Sequence, residues 1–538
     1  MNLFFFWRKI QVKIKNKVDG HGLPSALIGG AFSLTLSTII VKILGLFYKI
    51  PLASILGDEG MGYFNSAYTV YAFFYLICTA GVPKAVMIMV SEARAKGREI
   101  EESRVVRVAL VMFLSLGIFV TATFVILSGG LARLIGNSKS AATMIAIAPS
   151  IVFISLSGVI RGYLSANMKL LDIAVSQIIE GVGKLVLGLI FATVGSRLSL
   201  PLELISAFTI LGVTFGSLFG LIYLWICSKI RISSKKAGQN INKQEKRMIA
   251  RRMLSISIPI TASAAIMSIT NIIDLGLIMR SLTEIGYSES QSSALYGNYT
   301  TLAVPMLNLA ISIITPVTVA FLPKFTDCAV RMDREGLIAL RKSSLELTAF
   351  ISAPLTLGLL LFPVEILDLL FKNCDTRIGG ALLCILAPAI TFSSLLVNVN
   401  TLLESHGRVR APLISMLFGS GAKIVVSYLL ITRSGLGVFG APVGTVVSYG
   451  IALAVSLIIY GRELKESIPI FSTGVRSYVF AFLSVGCARA LFDKTGRGGA
   501  SLIGSIVFAA LIYLALSVLY ALFKKEKSRK LAKSTNLN

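Results

Sequence analysis

Histidine, tryptophan, acidic residues and long polar segments are all scarce in this sequence. Only 2 of the 538 residues are His and 2 are Trp, and the 26 Asp and Glu residues face 52 Lys and Arg residues. Charged residues make up 14% of the chain and hydrophobic residues 55%, with a mean hydropathy of +0.81. Soluble globular proteins are not built this way, so the composition indicates an all-α polytopic membrane protein.

Patterns that support catalysis or metal binding are also missing. The six cysteines are scattered without a CxxC pair, and His21 and His406 have no other candidate ligands around them. The sequence has no glycine-rich phosphate-binding loop ending in Lys-Ser/Thr and no nucleophile elbow. The connecting loops are too short to carry the acid, base and metal of a membrane glycosyltransferase. The sequence therefore argues against an enzyme and predicts no cofactor or metal.

The distribution of Lys and Arg predicts the topology. Fourteen apolar segments are long enough to cross a bilayer, which takes about 20 residues each. With a cytoplasmic N-terminus, 37 of the 52 Lys and Arg residues fall in inner segments, 10 in outer segments and 5 inside spans. Because cytoplasmic loops retain Lys and Arg, we predict a multi-pass protein of the bacterial cytoplasmic membrane with both termini cytoplasmic. The net charge of +26 then needs no nucleic-acid partner.

A polar, basic linker divides the predicted spans into two groups. We predict a cytoplasmic basic segment (1–24), an N-lobe of six spans (25–229), the linker (230–252), a C-lobe of six spans (253–460), two extra C-terminal spans (461–523) and a basic cytoplasmic tail (524–538). The lobes share Ala-Pro pairs, at Ala148-Pro149 and Ala387-Pro388, and the same offset of 239 aligns Lys184 with Lys423. These matches predict a pseudo-two-fold parallel repeat about an axis along the membrane normal.

Polar residues inside the predicted spans are the candidates for a functional site. The candidate substrate-binding residues are Lys42, Lys49, Lys84, Lys184, Lys423 and Asn298, and the candidate ion-coupling acids are Asp274 and Glu180. A lysine inside hydrocarbon costs about 3 kcal/mol on insertion scales, so such residues face protein or a water-filled cavity. Since most of these charges are positive, the predicted cavity suits an anionic passenger such as a phosphate or pyrophosphate.

Several of these candidates have a second interpretation. Lys42 and Lys49 lie seven residues apart and share a helix face, but Lys49 near the span end also suits snorkelling to the interface. Glu180 and Lys184 lie one turn apart, so an internal ion pair is an alternative to a site. Asn298 suits either a ligand or an interhelical hydrogen bond.

The first hundred residues resemble a known family. The segments Lys42–Pro51 (KILGLFYKIP), Leu56–Phe64 (LGDEGMGYF) and Gly81–Val86 (GVPKAV) resemble the oligosaccharide flippases of the MOP superfamily. Together with Ser91–Gly97 (SEARAKG), they are most similar to the branch of stage V sporulation protein B and MurJ-like proteins. The resemblance implies a transporter that moves an undecaprenyl-pyrophosphate-linked glycan between leaflets.

The resemblance also implies roles for individual residues. Lys42 occupies the first of the basic cavity positions on the first predicted span (26–50), while Tyr48, with Lys49 beside it, stands where the family pattern has an arginine. The basic residues expected on the eighth predicted span (293–321) and the second (63–93) are absent. Those regions contain Tyr296–Asn298 and Phe74–Ile77. The glycan, a lipid II-like cell-wall precursor or another polysaccharide unit, therefore stays open.

Three functions follow from the sequence. The first is a flippase for such a lipid-linked oligosaccharide, working by alternating access as a monomer among membrane lipids. The second is a cation-coupled multidrug (MATE-type) efflux pump, with Asp274 or Glu180 as the coupling acid. The third is a non-transporting scaffold for envelope or spore assembly. No cofactor is expected, and coupling to the membrane potential, Na⁺ or H⁺ stays open.

Overall fold

The computed structural model describes residues 25–232, 242–408, 410–464, 470–496 and 498–535. The predicted basic segment 1–24 and positions 233–241 of the predicted linker lie outside these ranges. Within them the chain is helical, with turns between helices and no strand. This confirms the all-helical class that the composition predicts.

The first half of the chain forms nine helices in the described ranges. They are α1 (Ser25–Thr79), α2 (Val82–Ala95), α3 (Glu99–Leu134), α4 (Ala141–Ile147), α5 (Ser150–Ala166), α6 (Leu170–Arg197), α7 (Leu202–Ile232), α8 (Lys243–Glu284) and α9 (Glu289–Asn298). A 3₁₀ turn at Ser138–Ser140 precedes α4, and one π-helical turn at Tyr299–Ala303 follows α9.

Ten further helices complete the described chain. They are α10 (Val304–Val319), α11 (Leu322–Arg331), α12 (Arg334–Leu361), α13 (Pro363–Leu370), α14 (Thr376–Leu386), α15 (Pro388–Ser405), α16 (Ala411–Thr432), α17 (Gly440–Leu464), α18 (Ile470–Lys494) and α19 (Gly499–Thr535). A 3₁₀ turn at Gly437–Phe439 precedes α17.

Eleven helices of the described residues are long and apolar enough to cross a membrane, or twelve if one bent pair counts as a single span. The bent pair is Ser138–Ile147 with Ser150–Ala166, which meet at 42°. The protein is therefore a multi-pass membrane protein. The number fourteen and the two-lobe repeat stay predictions.

The first two predicted spans meet at a single non-helical residue. Inside α1, Gly57 has φ 62° and ψ −175°, which breaks the helical path without a loop. A positive φ is open to glycine at little cost, because a Cβ in that region meets the backbone. The sequence predicts a loop between Ile50 and Tyr63, whereas the structure keeps helix on both sides of Gly57 and accepts Pro51 within it.

The described residues divide into two compact units. The first holds the residues up to Met279 together with Glu289–Gly297, and the second holds Arg280–Ser288 and the residues from Asn298 onward. Each unit contains one of the predicted Ala-Pro pairs at a helix junction. Ala148-Pro149 separates α4 from α5, and Ala387-Pro388 separates α14 from α15.

Glycines bring α6 and α7 into backbone contact in the first unit. A Cβ on Gly212 would lie 2.4 Å from the backbone nitrogen of Gly188, and one on Gly216 would lie 2.7 Å from the Glu180 carbonyl oxygen. A Cβ on Gly183 would lie 3.0 Å from the Gly216 Cα. Small residues at such contacts let membrane helices approach closely. The contact fixes where α6 presents its polar side chains.

Candidate functional site

A cavity of about 510 Å³ lies within the first unit, between α1, α5, α6 and α7. We call it the tyrosine cavity. Its lining residues are Val41, Tyr68, Tyr71, Ala72, Tyr75, Leu76, Ile154, Arg161, Gln177, Glu180, Gly181, Lys184 and Val213. Two of the predicted site residues, Glu180 and Lys184, are among them.

Helix α1 contributes a stripe of aromatic rings to this cavity. Tyr68, Tyr71 and Tyr75 recur at spacings of three and four residues, which puts them on one helix face. Consecutive ring centroids lie 5.7 Å and 5.9 Å apart. Tyr71 and Tyr75 are more enclosed than Tyr68, which keeps 37% of its surface exposed. The stripe is therefore a continuous aromatic wall with one accessible end.

The Lys184 ammonium lies against aromatic rings rather than against a carboxylate. Its Nζ is 4.7 Å from the ring centroid of Tyr68 and 5.5 Å from that of Tyr48. Such placements stabilise a cation by about 0.5–2 kcal/mol. Among the described side chains, no carboxylate oxygen lies within 4.0 Å of Lys184 Nζ. The Glu180–Lys184 ion pair that the spacing suggested is therefore not formed.

Glu180 is paired with Arg161 instead. Arg161 Nη2 donates to Glu180 Oε2 at 2.8 Å, and the two side chains keep only 15% and 28% of their surface exposed. The buried Nε of Arg161 has no acceptor among the described residues. Arg161 is one of the 37 Lys and Arg residues that the predicted topology places in inner segments, but α5 continues to Ala166 and holds it inside the helix.

Tyr48 is the second aromatic ring beside the Lys184 ammonium. The Tyr48 ring is buried and packs on α6 at Gly188, where a Cβ would lie 2.6 Å from the tyrosine hydroxyl. The family pattern implies an arginine near this position of α1. In this chain Tyr48 provides a ring, and the cation over it comes from α6.

Gln177 adds an amide to the cavity. Its Oε1 accepts a hydrogen bond from Ser37 Oγ at 3.1 Å, and this bond links α6 to α1. The two donors of the amide nitrogen have no acceptor among the described residues. Together with Arg161, Gln177 gives the cavity hydrogen-bond donors beside its aromatic wall.

The remaining predicted residues of the first unit lie outside the cavity lining. Lys49 is half-buried and its Nζ donates to Asn65 Oδ1 at 3.4 Å. Lys84 is exposed in the first turn of α2, so the structure does not place it in this cavity. Asp274 is buried on α8. Lys42 belongs to α1, but its side chain lies outside the described part of the structure.

Two predicted residues lie in the second unit. Asn298 is buried, and its Nδ2 donates to the backbone carbonyl of Asp375 at 2.8 Å. This bond joins the end of α9 to the start of α14, as the interhelical interpretation requires. Lys423 is half-buried on α16. Contact of any of these residues with substrate stays a prediction.

Comparison with known families settles what kind of protein this is. Residues 27–328 match the model of the polysaccharide biosynthesis protein family. The chain belongs to this family. The match covers α1 to α11 apart from the first residues of α1 and the last of α11, and therefore includes every helix that lines the tyrosine cavity.

Relatives of this chain are known in Bacillus subtilis (strain 168). Stage V sporulation protein B is 22% identical over 93% of this chain and 97% of its own length. Lipid II flippase MurJ is 23% identical over 83% of this chain and 85% of its own length. These matches confirm the resemblance to the stage V sporulation protein B and MurJ branch of the MOP superfamily.

Solved structures show the same fold. Lipid II flippase MurJ in an inward closed conformation superposes with a TM-score of 0.70 at 15% identity, covering 90% of this chain and 98% of MurJ. An inward-facing multidrug resistance MATE transporter of the MOP superfamily gives a TM-score of 0.62 at 16% identity, covering 85% of this chain and 97% of the transporter. The relatives named for an activity are thus transporters or flippases.

Proposed function

We propose that the protein moves an undecaprenyl-pyrophosphate-linked oligosaccharide from the inner to the outer leaflet of the bacterial cytoplasmic membrane. One observation carries the proposal: Lys184 holds a positive charge in a cavity among membrane helices with no carboxylate within 4.0 Å among the described residues. A half-buried cation among membrane helices, with no carboxylate beside it, favours an anionic ligand. A pump for cationic drugs needs the opposite sign.

Further lysines extend this positive region. Tyr48, whose ring lies 5.5 Å from Lys184 Nζ, directly precedes Lys49 in α1. A pyrophosphate has several acceptor oxygens and can pair with more than one lysine. In the proposed mechanism Lys42, Lys49, Lys184 and Lys423 meet the pyrophosphate in turn, while the lipid tail stays in the membrane.

The proposed transport cycle is alternating access by two lobes. In this proposal the protein has fourteen spans: two lobes of six spans, related as parallel repeats, and two added C-terminal spans. Both termini lie in the cytoplasm. The Ala-Pro helix junctions, one in each compact unit at the offset of 239, support the repeat. Broken helices of this kind serve as hinges in transporters. We propose a monomer without a cofactor, driven by the membrane potential or an ion gradient.

A cation-coupled multidrug efflux pump is the second candidate function. It is favoured by the similarity to MATE transporters and by Asp274, a buried acid on α8. Glu180 argues against it, because its carboxylate is already bonded to Arg161 at 2.8 Å. Drug resistance on overexpression that disappears in Asp274→Asn would support this function over the flippase.

The deciding experiment uses cells depleted of their own lipid II flippase. We expect the protein to restore lipid II accessible at the outer leaflet, and Lys184→Met and Lys42→Ala to abolish this while still inserting in the membrane. Lys96→Met is the matched control, because Lys96 is exposed in the turn after α2. Full activity of both lysine variants would refute the assignment of Lys184 and Lys42 to the substrate site. No restoration by the wild type would point to another lipid-linked glycan.

A further inference from the structure

We propose that the tyrosine cavity binds one sugar ring of the transported glycan, and that this ring carries an acidic group. The ring lies against the stripe of Tyr68, Tyr71 and Tyr75, and the acidic group pairs with Lys184 at the stage of transport when the pyrophosphate is on the other lysines. The inference rests on the proposed function for the role of the sugar in transport, but sugar binding itself can be measured without any transport.

The exposed ring of Tyr68 gives a pyranose an aromatic surface to pack on, although the rings of the stripe tilt by 50° and 49° from one to the next. One face of a sugar ring presents C–H groups, which pack on an aromatic ring, while its edge carries hydroxyls that require hydrogen bonds. The accessible ring of Tyr68 lies at one end of the stripe, next to the enclosed rings of Tyr71 and Tyr75. Aromatic rings provide a large rigid contact area at low entropic cost.

Hydrogen-bond donors surround this platform. Gln177 keeps both amide donors without an acceptor among the described residues, and the buried Nε of Arg161 lacks one as well. The Tyr71 hydroxyl accepts from Ser150 Oγ at 2.9 Å and can still donate. The Arg161 Nε is a buried donor without a partner among the described residues, which costs about 1–3 kcal/mol. Sugar hydroxyls would satisfy these donors, whereas a lipid chain would leave them unsatisfied.

The charge of the cavity selects an acidic ring. Arg161 and Glu180 neutralise each other through their 2.8 Å contact, so the lining keeps one net positive charge, that of Lys184. This ammonium excludes the cationic ligands that an aromatic cage would otherwise bind. A carboxylate or phosphate on the sugar would complete the pairing.

The size of the cavity agrees with this ligand. Its volume of about 510 Å³ lies in the range of about 300–1,000 Å³ that is usual for small-ligand pockets. The space holds one sugar and part of a neighbour, but not a whole lipid-linked glycan. The cavity would therefore recognise one residue of the chain, and the rest of the glycan would extend beyond it.

The test measures binding of soluble sugars to the full-length purified protein in nanodiscs, by calorimetry or saturation-transfer NMR. The probes are glucuronate, glucose 6-phosphate, glucose and inorganic pyrophosphate. We expect at least one acidic sugar to bind about tenfold more tightly than glucose, which equals about 1.4 kcal/mol. The first two probes distinguish a carboxylate from a phosphate as the acidic group.

Variants assign the binding to the cavity. Lys184→Met should remove the preference for the acidic sugars while keeping weak glucose binding, and Tyr68→Ala should weaken all three sugars severalfold. Tyr428→Ala is the matched control, because Tyr428 is an exposed tyrosine on α16 in the second unit. Tyr68→Leu keeps a bulky side chain in case Tyr68→Ala unfolds.

Three results would overturn the inference. They are binding of no sugar by the wild type, equal affinity for glucose and the acidic sugars, and pyrophosphate binding as tight as that of glucose 6-phosphate with no effect of the Tyr68 variants. Each leaves the flippase proposal standing if the wild type still restores outer-leaflet lipid II. Conversely, sugar binding without any transport would retain the site and reject the flippase.

Discussion

Replacing Gly216 by alanine should damage the protein although the change adds one methyl group. The new Cβ would lie 2.7 Å from both the Glu180 carbonyl oxygen and the Lys184 backbone nitrogen. Since non-bonded contacts prefer about 3.5–4.0 Å, α6 and α7 must separate by about 1 Å. Overpacking of this kind costs about 1–3 kcal/mol, and alanine returns up to about 1 kcal/mol of helix propensity. We expect a net loss of about 1–2 kcal/mol.

Gly129→Ala provides the control for this change. Gly129 is an exposed helical residue of α3, and no atom lies within 4 Å of its added Cβ. This variant should gain up to about 1 kcal/mol from helix propensity alone. Because both variants gain the same helix propensity, denaturation in mixed micelles should separate them by the overpacking cost of about 1–3 kcal/mol. If Gly216→Ala unfolds at the same denaturant concentration as Gly129→Ala, the backbone contact between α6 and α7 is not as close as described.

Three further outcomes follow from other contacts. Arg489→Leu removes a guanidinium that bonds Glu365 at 2.5 Å, so it should destabilise the fold by about 1–3 kcal/mol. The double variant with Glu365→Leu should recover part of this loss in the same denaturation assay. Gly57→Val forces a β-branched residue to φ 62° and ψ −175°, a region essentially restricted to glycine, and should cost about 1–3 kcal/mol, as thermal unfolding can measure. For the predicted topology, a cysteine at Ser434 should react with impermeant maleimide in intact cells, and one at Lys96 should react only after lysis; the reverse pattern would invert the orientation.

The sequence predicts the helical membrane fold well, because long apolar segments have few alternatives in a bilayer. It also predicts Lys184 as a cavity residue, since an ammonium inside a span is costly unless protein or water surrounds it. Its partner could not be predicted. The spacing of Glu180 and Lys184 reports only on α6, whereas Arg161 approaches Glu180 from α5 at 2.8 Å.

Arg161 itself was missed for a physical reason. A basic residue near the predicted end of a span is usually a loop charge, and the boundary of a helix is poorly defined by sequence. The tyrosine stripe was missed because aromatic residues at helical spacing are ordinary in a packed helix. Only the position of Lys184 above the Tyr68 ring distinguishes this stripe from the packing of a core.

The replacement of an expected arginine by Tyr48 has a similar explanation. Viewed along α1 alone, the change removes a charge from the predicted cavity. In three dimensions the Tyr48 ring lies 5.5 Å from Lys184 Nζ, so a cation from α6 lies beside the position where the family pattern has an arginine. A family pattern followed along one helix cannot show such a contact between helices.

The backbone contact between α6 and α7 also bears on how this protein can evolve. Every missense mutation of a glycine codon adds a β-carbon, so at Gly212 and Gly216 each one places an atom inside that contact. The side chains of Gln177 and Tyr68 project away from the contact into open space. Substitutions at Gly212 and Gly216 should thus destabilise the fold, whereas substitutions at Gln177 and Tyr68 should leave the helix contact intact. Descendants of this protein could therefore change which ligand the cavity accepts while the helix contact that positions Lys184 stays the same.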